Sequence, residues 1–145
     1  MPNRYIHQQF GTVTLLGALL VALLIYIAFA TVDAHFIGAA VLLVVIIGSF
    51  LFGSLIVEVD RTHLRIRFGV GLIRRSWPLK EIASAEVVRN PWYTGWGIRL
   101  LPGRTVYNVA GFDAVEITLK NGKCYRIGTN QPQELERAIR SRLKQ

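Results

Sequence analysis

Cysteine is almost missing from this chain, acidic residues are scarce, and two long stretches carry no charge at all. The single cysteine, Cys124, excludes an internal disulfide and fits a reducing compartment. Only three histidines occur. His7, His35 and His63 are scattered, and no Cys or His pair has metal-ligand spacing. Gly95-x-Gly97 lacks the Lys and Ser/Thr of a phosphate-binding loop. The reading is therefore non-enzymatic, with no catalytic residues, no metal and no cofactor expected. Against 17 Lys and Arg stand only 9 Asp and Glu, a net charge of +8.

The most informative absence lies near the start. Residues 11–32 and 36–57 hold no Lys, Arg, Asp, Glu or His. About 20 apolar residues, rising 1.5 Å each, cover a hydrocarbon core of about 30 Å. Two such runs joined by Asp33-Ala34-His35 predict a transmembrane helical hairpin over residues 1–57. The competing reading of the first run is a secretory signal, with Arg4 ahead of it and Ala28-Phe29-Ala30 as a cleavage site. The run is longer than the usual apolar core of about 7–15 residues, and cleavage would leave a protein starting with a second span. Cationic residues flank the spans on one side only: Arg4 before, and Arg61, Arg65, Arg67, Arg74 and Arg75 after. Cationic flanks stay in the cytoplasm, so both termini are expected there, with the short link outside. Intramembrane acids and bases, the marks of a transporter or proton path, are absent.

Residues 58–145 carry 16 of the Lys and Arg and 8 of the acids, the whole of the net charge. They suffice for one small cytoplasmic domain. A basic domain held at a leaflet faces anionic headgroups, where each nearby Lys or Arg contributes about 1 kcal/mol. Nucleic acid is the other common partner of such charge. No nucleic-acid motif accompanies it, so none is expected as a partner. Within the hairpin, Thr14, Ala18 and Ala22 form one small-residue stripe and Ser49 and Gly53 another, at matching depths. Such stripes allow close helix packing in lipid, within the hairpin or in a homo-oligomer.

The rest reads as strands followed by a helix. A β-rich run at 55–60 precedes Leu64-Arg65-Ile66-Arg67-Phe68, which alternates apolar and basic residues. Residues 72–79 follow, with a bulge suggested by adjacent Arg74 and Arg75. Further strands fall at 82–88, 98–101, 105–109, 115–119 and 124–127, the last two joined by the hairpin signal Asn121-Gly122. Short, closely spaced strands predict an antiparallel sandwich or barrel. A helix over 131–143 ends the chain, with Thr129 or Asn130 as cap, Pro132 in its first turn, and an apolar stripe of Leu135, Ala138, Ile139 and Leu143.

About seven antiparallel strands closed by a C-terminal helix is a pleckstrin-homology layout. The chain resembles the bacterial pleckstrin-homology-like membrane proteins, in which a two-helix hairpin precedes such a domain. The resemblance rests on Trp77-Pro78-Leu79-Lys80-Glu81-Ile82, Gly95-Trp96-Gly97-Ile98-Arg99, Tyr107-Asn108-Val109-Ala110-Gly111, the run at 115–122, and Arg126-Ile127-Gly128-Thr129 with Pro132. It implies a multi-pass protein of the bacterial inner membrane, and a fold that hosts lipid-binding, peptide-binding and scaffold roles alike. Eukaryotic lipid binders of this fold cluster basic residues at the first strand turn, a pattern Arg61, Arg65 and Arg67 approximate. A solvated sheet face accounts for the same arginines without a ligand. The aromatic cluster Trp92, Tyr93 and Trp96, set among Pro and Gly, is of the kind found at bilayer and protein interfaces. Either this loop dips into the headgroup layer, or Trp92 and Trp96 fold back over a small core. The expected function is a membrane-anchored module that offers a basic, aromatic-edged surface to anionic lipid or to a protein partner. The alternative is a self-associating scaffold with no specific lipid ligand.

Overall fold

The charge-free runs form two helices in the computed structural model, which describes residues 4–145. Helix α1 spans Thr12–Ala30 and α2 spans His35–Phe52, about 28 and 27 Å long at 1.5 Å per residue. Both are long and apolar enough to cross a bilayer, and few of their residues are buried by the rest of the chain. Asp33 turns the chain between them with φ of 56°, a left-handed conformation that Asp accepts more readily than most residues. The helices touch where side chains are small. A methyl group on Gly38 would stand 3.0 Å from the Tyr26 Cα, and one on Gly53 would meet the Leu15 methyls at 3.1 Å.

The second helix stops at Phe52 rather than continuing to Val57. Ser54–Val59 is strand β2, because Leu55, Ile56 and Val57 are β-branched or apolar and find strand partners on both sides. One partner is a strand the apolar pattern does not announce. Tyr5–Phe10 forms β1 ahead of α1 and pairs antiparallel with β2, from Tyr5 opposite Val59 to Phe10 opposite Ser54. The helical hairpin is thus an insertion between two neighbouring strands. Residues 5–10 and 54–57 belong to the β domain, so the expected division of the chain after residue 57 is redrawn.

Strands β3 (His63–Phe68) and β4 (Ile73–Pro78) complete a first sheet in the order β1-β2-β3-β4. A second sheet holds β5 (Ile82–Arg89), β6 (Gly97–Leu101), β7 (Arg104–Asn108), β8 (Asp113–Leu119) and β9 (Cys124–Gly128), in the order β5-β8-β9-β7-β6. All pairings are antiparallel except β7 with β9, which is parallel. Two open sheets therefore replace the barrel alternative, and the described residues contain nine strands rather than about seven. The bulge expected at Arg74 and Arg75 is absent, since β3 and β4 pair without interruption. The irregularity lies between Ile82 and Ser84. Arg74 and Arg75 interrupt the apolar pattern because β4 is an edge strand, whose inner face is open to solvent at Arg75.

Both sheets contribute to one core. Leu55, Val57, Leu64, Ile66 and Phe68 of the first sheet meet Val115, Ile117 and Ile127 of the second. Helix α3, Pro132–Leu143, adds Leu135 and Ile139, both fully buried, with Ala138 and Leu143 partly so. Neither expected side-chain cap is used. The N-cap is Gln131, whose N–H donates to Thr129 Oγ1 at 3.0 Å, while Asn130 Oδ1 accepts from His7 Nε2 at 2.5 Å.

Strand direction gives the domain two ends. Because β2 leaves α2 and runs outward, the β3–β4 turn at 69–72 lies at the hairpin end. The β2–β3 turn at 60–62 and the β8–β9 turn at 120–123 lie at the far end.

Candidate surface at the hairpin end

Single glycines replace any linker between helices and strands. Gly11 stands between β1 and α1 and donates its N–H to the Gly53 carbonyl at 2.9 Å, and Gly53 joins α2 to β2. Gly69, in the β3–β4 turn, has φ of +50°, and a methyl group there would collide with the carbonyls of Phe50 and Leu51. The Gly69 N–H donates to the Ser54 carbonyl at 2.9 Å. On the opposite side, Thr14 Oγ1 donates to the Val109 carbonyl at 3.4 Å. The domain is therefore riveted to the hairpin at several points, which sets the surface that faces along the helices.

That surface has an apolar turn and an aromatic loop. Val70 and Leu72 are exposed beside Gly69 and Gly71, as is Phe10 at the end of β1. The loop 90–96 is held by the Asn90 N–H, which donates to the Phe112 carbonyl at 2.6 Å, and by the Thr94 N–H, which donates to the Pro91 carbonyl at 3.0 Å. Its rings point outward. Trp92 is 81% exposed and Tyr93 73%, whereas Trp77 of β4, in the core, is 5% exposed. Trp92 and Tyr93 meet edge to face at 5.9 Å. Trp96 is 38% exposed and borders an open apolar groove of about 460 Å³ along α1, shared with Thr14, Ala18 and Ala22. Ser49 and Gly53 line a different groove, with Phe10 and Val70. Ser49 Oγ also donates to the Val45 carbonyl within its own helix at 2.8 Å.

The five arginines singled out from the sequence do not form one cluster. Arg67 and Arg74 stand directly opposite each other on β3 and β4, one register step above Phe68 and Ile73, and both are exposed. Like charges in register repel. Arg65 is engaged by Glu58 at 3.2 Å and by Asp60, and Arg4 binds Glu58 from the other side at 2.7 Å. The Arg4 hydrogen bond, against the opposing effect of burial, holds the Glu58 carboxyl below its usual pKa. Burial works to raise Asp60, but N–H donors from Thr62 and His63, the Thr62 hydroxyl and Arg65 hold it at about 2. Arg75 lies on the inner side of the edge strand and donates from Nε to the Tyr107 hydroxyl at 3.2 Å. That bond and the attraction of Tyr107 raise its already high pKa. Arg61 sits in the far turn.

Val70, Leu72 and Phe10 belong to the same surface and were not among the residues expected there. The signal available was apolar side chains set between glycines, where a turn normally carries polar ones. Among the described residues no group of three or more His, Cys, Asp or Glu is placed to hold a metal. No family model, characterised protein or solved structure matches the chain.

Proposed function

We propose that the chain is a non-enzymatic membrane module whose hairpin spans the bilayer and holds a pleckstrin-homology-like domain against the cytoplasmic leaflet. There Arg67 and Arg74 meet anionic headgroups, while Trp92, Tyr93 and Trp96 settle at the lipid interface. The observation that carries this reading is the unopposed arginine pair. Two like charges face each other, about two residue steps, or roughly 7 Å, from where the strands meet the helices. That lies within a Debye length of about 8 Å, so an anionic leaflet relieves the repulsion. Exposed aromatics on the same end suit the headgroup region. A cleaved signal fits poorly, because removal of residues 1–30 would strip β1 from the sheet as well as α1.

The full chain in nanodiscs of mixed neutral and phosphatidylglycerol lipid tests this. Native mass spectrometry should find phosphatidylglycerol enriched on the wild type. Arg67→Gln with Arg74→Gln should lose about 2 kcal/mol of that preference, on a scale of about 1 kcal/mol per charge. Equal enrichment in both would overturn the lipid reading. Self-association is the second reading. It is supported by β6, an edge strand of the second sheet with Leu100 83% exposed, since open edges invite pairing with another chain. Dimers in the same spectra that survive dilution, with no lipid preference, would favour it.

A further inference from the structure

The far end of the domain carries a second basic feature, away from the face proposed to meet the membrane. The β2–β3 turn, the β4–β5 link, the β8–β9 turn and the end of α3 surround an open cleft of about 740 Å³, edged by Arg61, Lys80, Lys120 and Arg142. Its accessible apolar floor is made by Pro78, Ala83 and Leu143, with Leu79 and Ile82 buried beneath them in the core. Two backbone bonds frame it. The Leu79 N–H donates to the Thr62 carbonyl and the Lys120 N–H to the Glu81 carbonyl, each at 2.8 Å. The cleft is therefore formed before any ligand arrives, which lowers the entropy cost of binding.

Position decides what those cations serve. Six residues of β2 separate the far turn from the helix exit, about 20 Å at roughly 3.3 Å per residue. Attraction to a leaflet decays over about 8 Å, so it is largely screened at this distance. The nearby acids are not part of the cleft lining. Asp60 is turned to Thr62, His63 and Arg65, and Glu81, exposed beside Lys80, does not line it. Several cations around an apolar floor, in a broad open trough, match a ligand that is itself both anionic and apolar.

We propose that this cleft binds an acidic peptide segment of a partner protein, with carboxylates meeting Arg61, Lys80 and Lys120 and an apolar side chain resting on Pro78, Ala83 and Leu143. A free small anion would use only the charges. A peptide uses the charges and the floor together.

The probe is a short fluorescein-labelled peptide in which Glu alternates with Leu, added to the full chain in neutral nanodiscs. Fluorescence anisotropy should report binding that weakens as salt rises. Lys80→Gln with Lys120→Gln, both exposed, should weaken it about fivefold, the effect of removing two solvent-exposed ion pairs. Arg67→Gln with Arg74→Gln, at the opposite end, should leave it unchanged. Replacing the peptide's Leu by Ser should weaken binding independently of salt. The proposal fails if the Glu–Leu peptide does not bind at low ionic strength, or if Lys80→Gln with Lys120→Gln leaves its affinity intact. It also fails if inorganic phosphate, compared with sodium chloride at the same ionic strength, displaces the peptide fully, or if the Ser peptide binds equally well, since either result marks a site for small anions. Binding that appears only with phosphatidylglycerol in the disc would assign these cations to lipid and overturn it as well.

Discussion

Arg67 and Arg74 face each other across β3 and β4, two like charges in register. Like charges directly opposite in a sheet cost about 0.2–1 kcal/mol. In neutral detergent, Arg67→Gln with Arg74→Gln should therefore raise the melting temperature slightly, while the phosphatidylglycerol preference falls. A drop in melting temperature would show that the pair has structural partners. Asp60 makes the opposite bargain with pH. Its folded-state pKa of about 2 lies below the unfolded value of about 3.9. Its contribution is thus complete above about pH 4 and lost as pH falls towards 2. Screening at this solvent-facing turn limits it to about 1 kcal/mol. Thermal unfolding followed by circular dichroism between pH 5 and pH 2 should show this loss, and Asp60→Asn should reduce the slope across the window.

Among the elements, the aromatic loop and the core are separated by burial. Trp92→Ser with Tyr93→Ser should change stability by no more than about 0.5 kcal/mol, as for exposed sites generally. Trp77→Ala should cost about 3–5 kcal/mol, because Trp77 packs against Tyr107 and Tyr125. Differential scanning fluorimetry of the detergent-solubilised chain distinguishes the two. The hairpin helices and most strands were legible in the sequence because each repeats its pattern locally: an unbroken apolar run, or apolar and polar residues in alternation. Strand β1 was not. Tyr5-Ile6-His7-Gln8-Gln9-Phe10 is short and polar, with Gln9 buried through a bond to the Gly128 carbonyl, and its partner strand begins only after both helices. The parallel β7–β9 pairing was equally hidden, since strand order is a long-range property. Of the candidate surface, the exposed aromatics were legible as a cluster. The division of the arginines between hairpin end, far end and internal pairs needed the register.

At the scale of the whole molecule, both helices leave from adjacent points on one sheet, so the β domain lies on a single side of the hairpin. With Cys124 replaced by Ser, a cysteine at Ala34 should react with an impermeant thiol reagent on spheroplasts, and one at Gln145 should not. The reverse pattern would invert the proposed topology. The insertion also has a bearing on how the molecule is made. During synthesis the six residues of β1 emerge before their partner β2, which follows more than forty positions later. Those positions are the two helices, which bring Gly11 and Gly53 within hydrogen-bonding distance only when folded back on each other. Closure of the first sheet is thereby tied to completion of the hairpin. If the hairpin spans a bilayer as proposed, a chain whose second helix fails to insert would leave β1 and β2 unjoined, with strand edges open to pairing. On the proposed membrane reading, hairpin insertion and closure of the first sheet become one checkpoint.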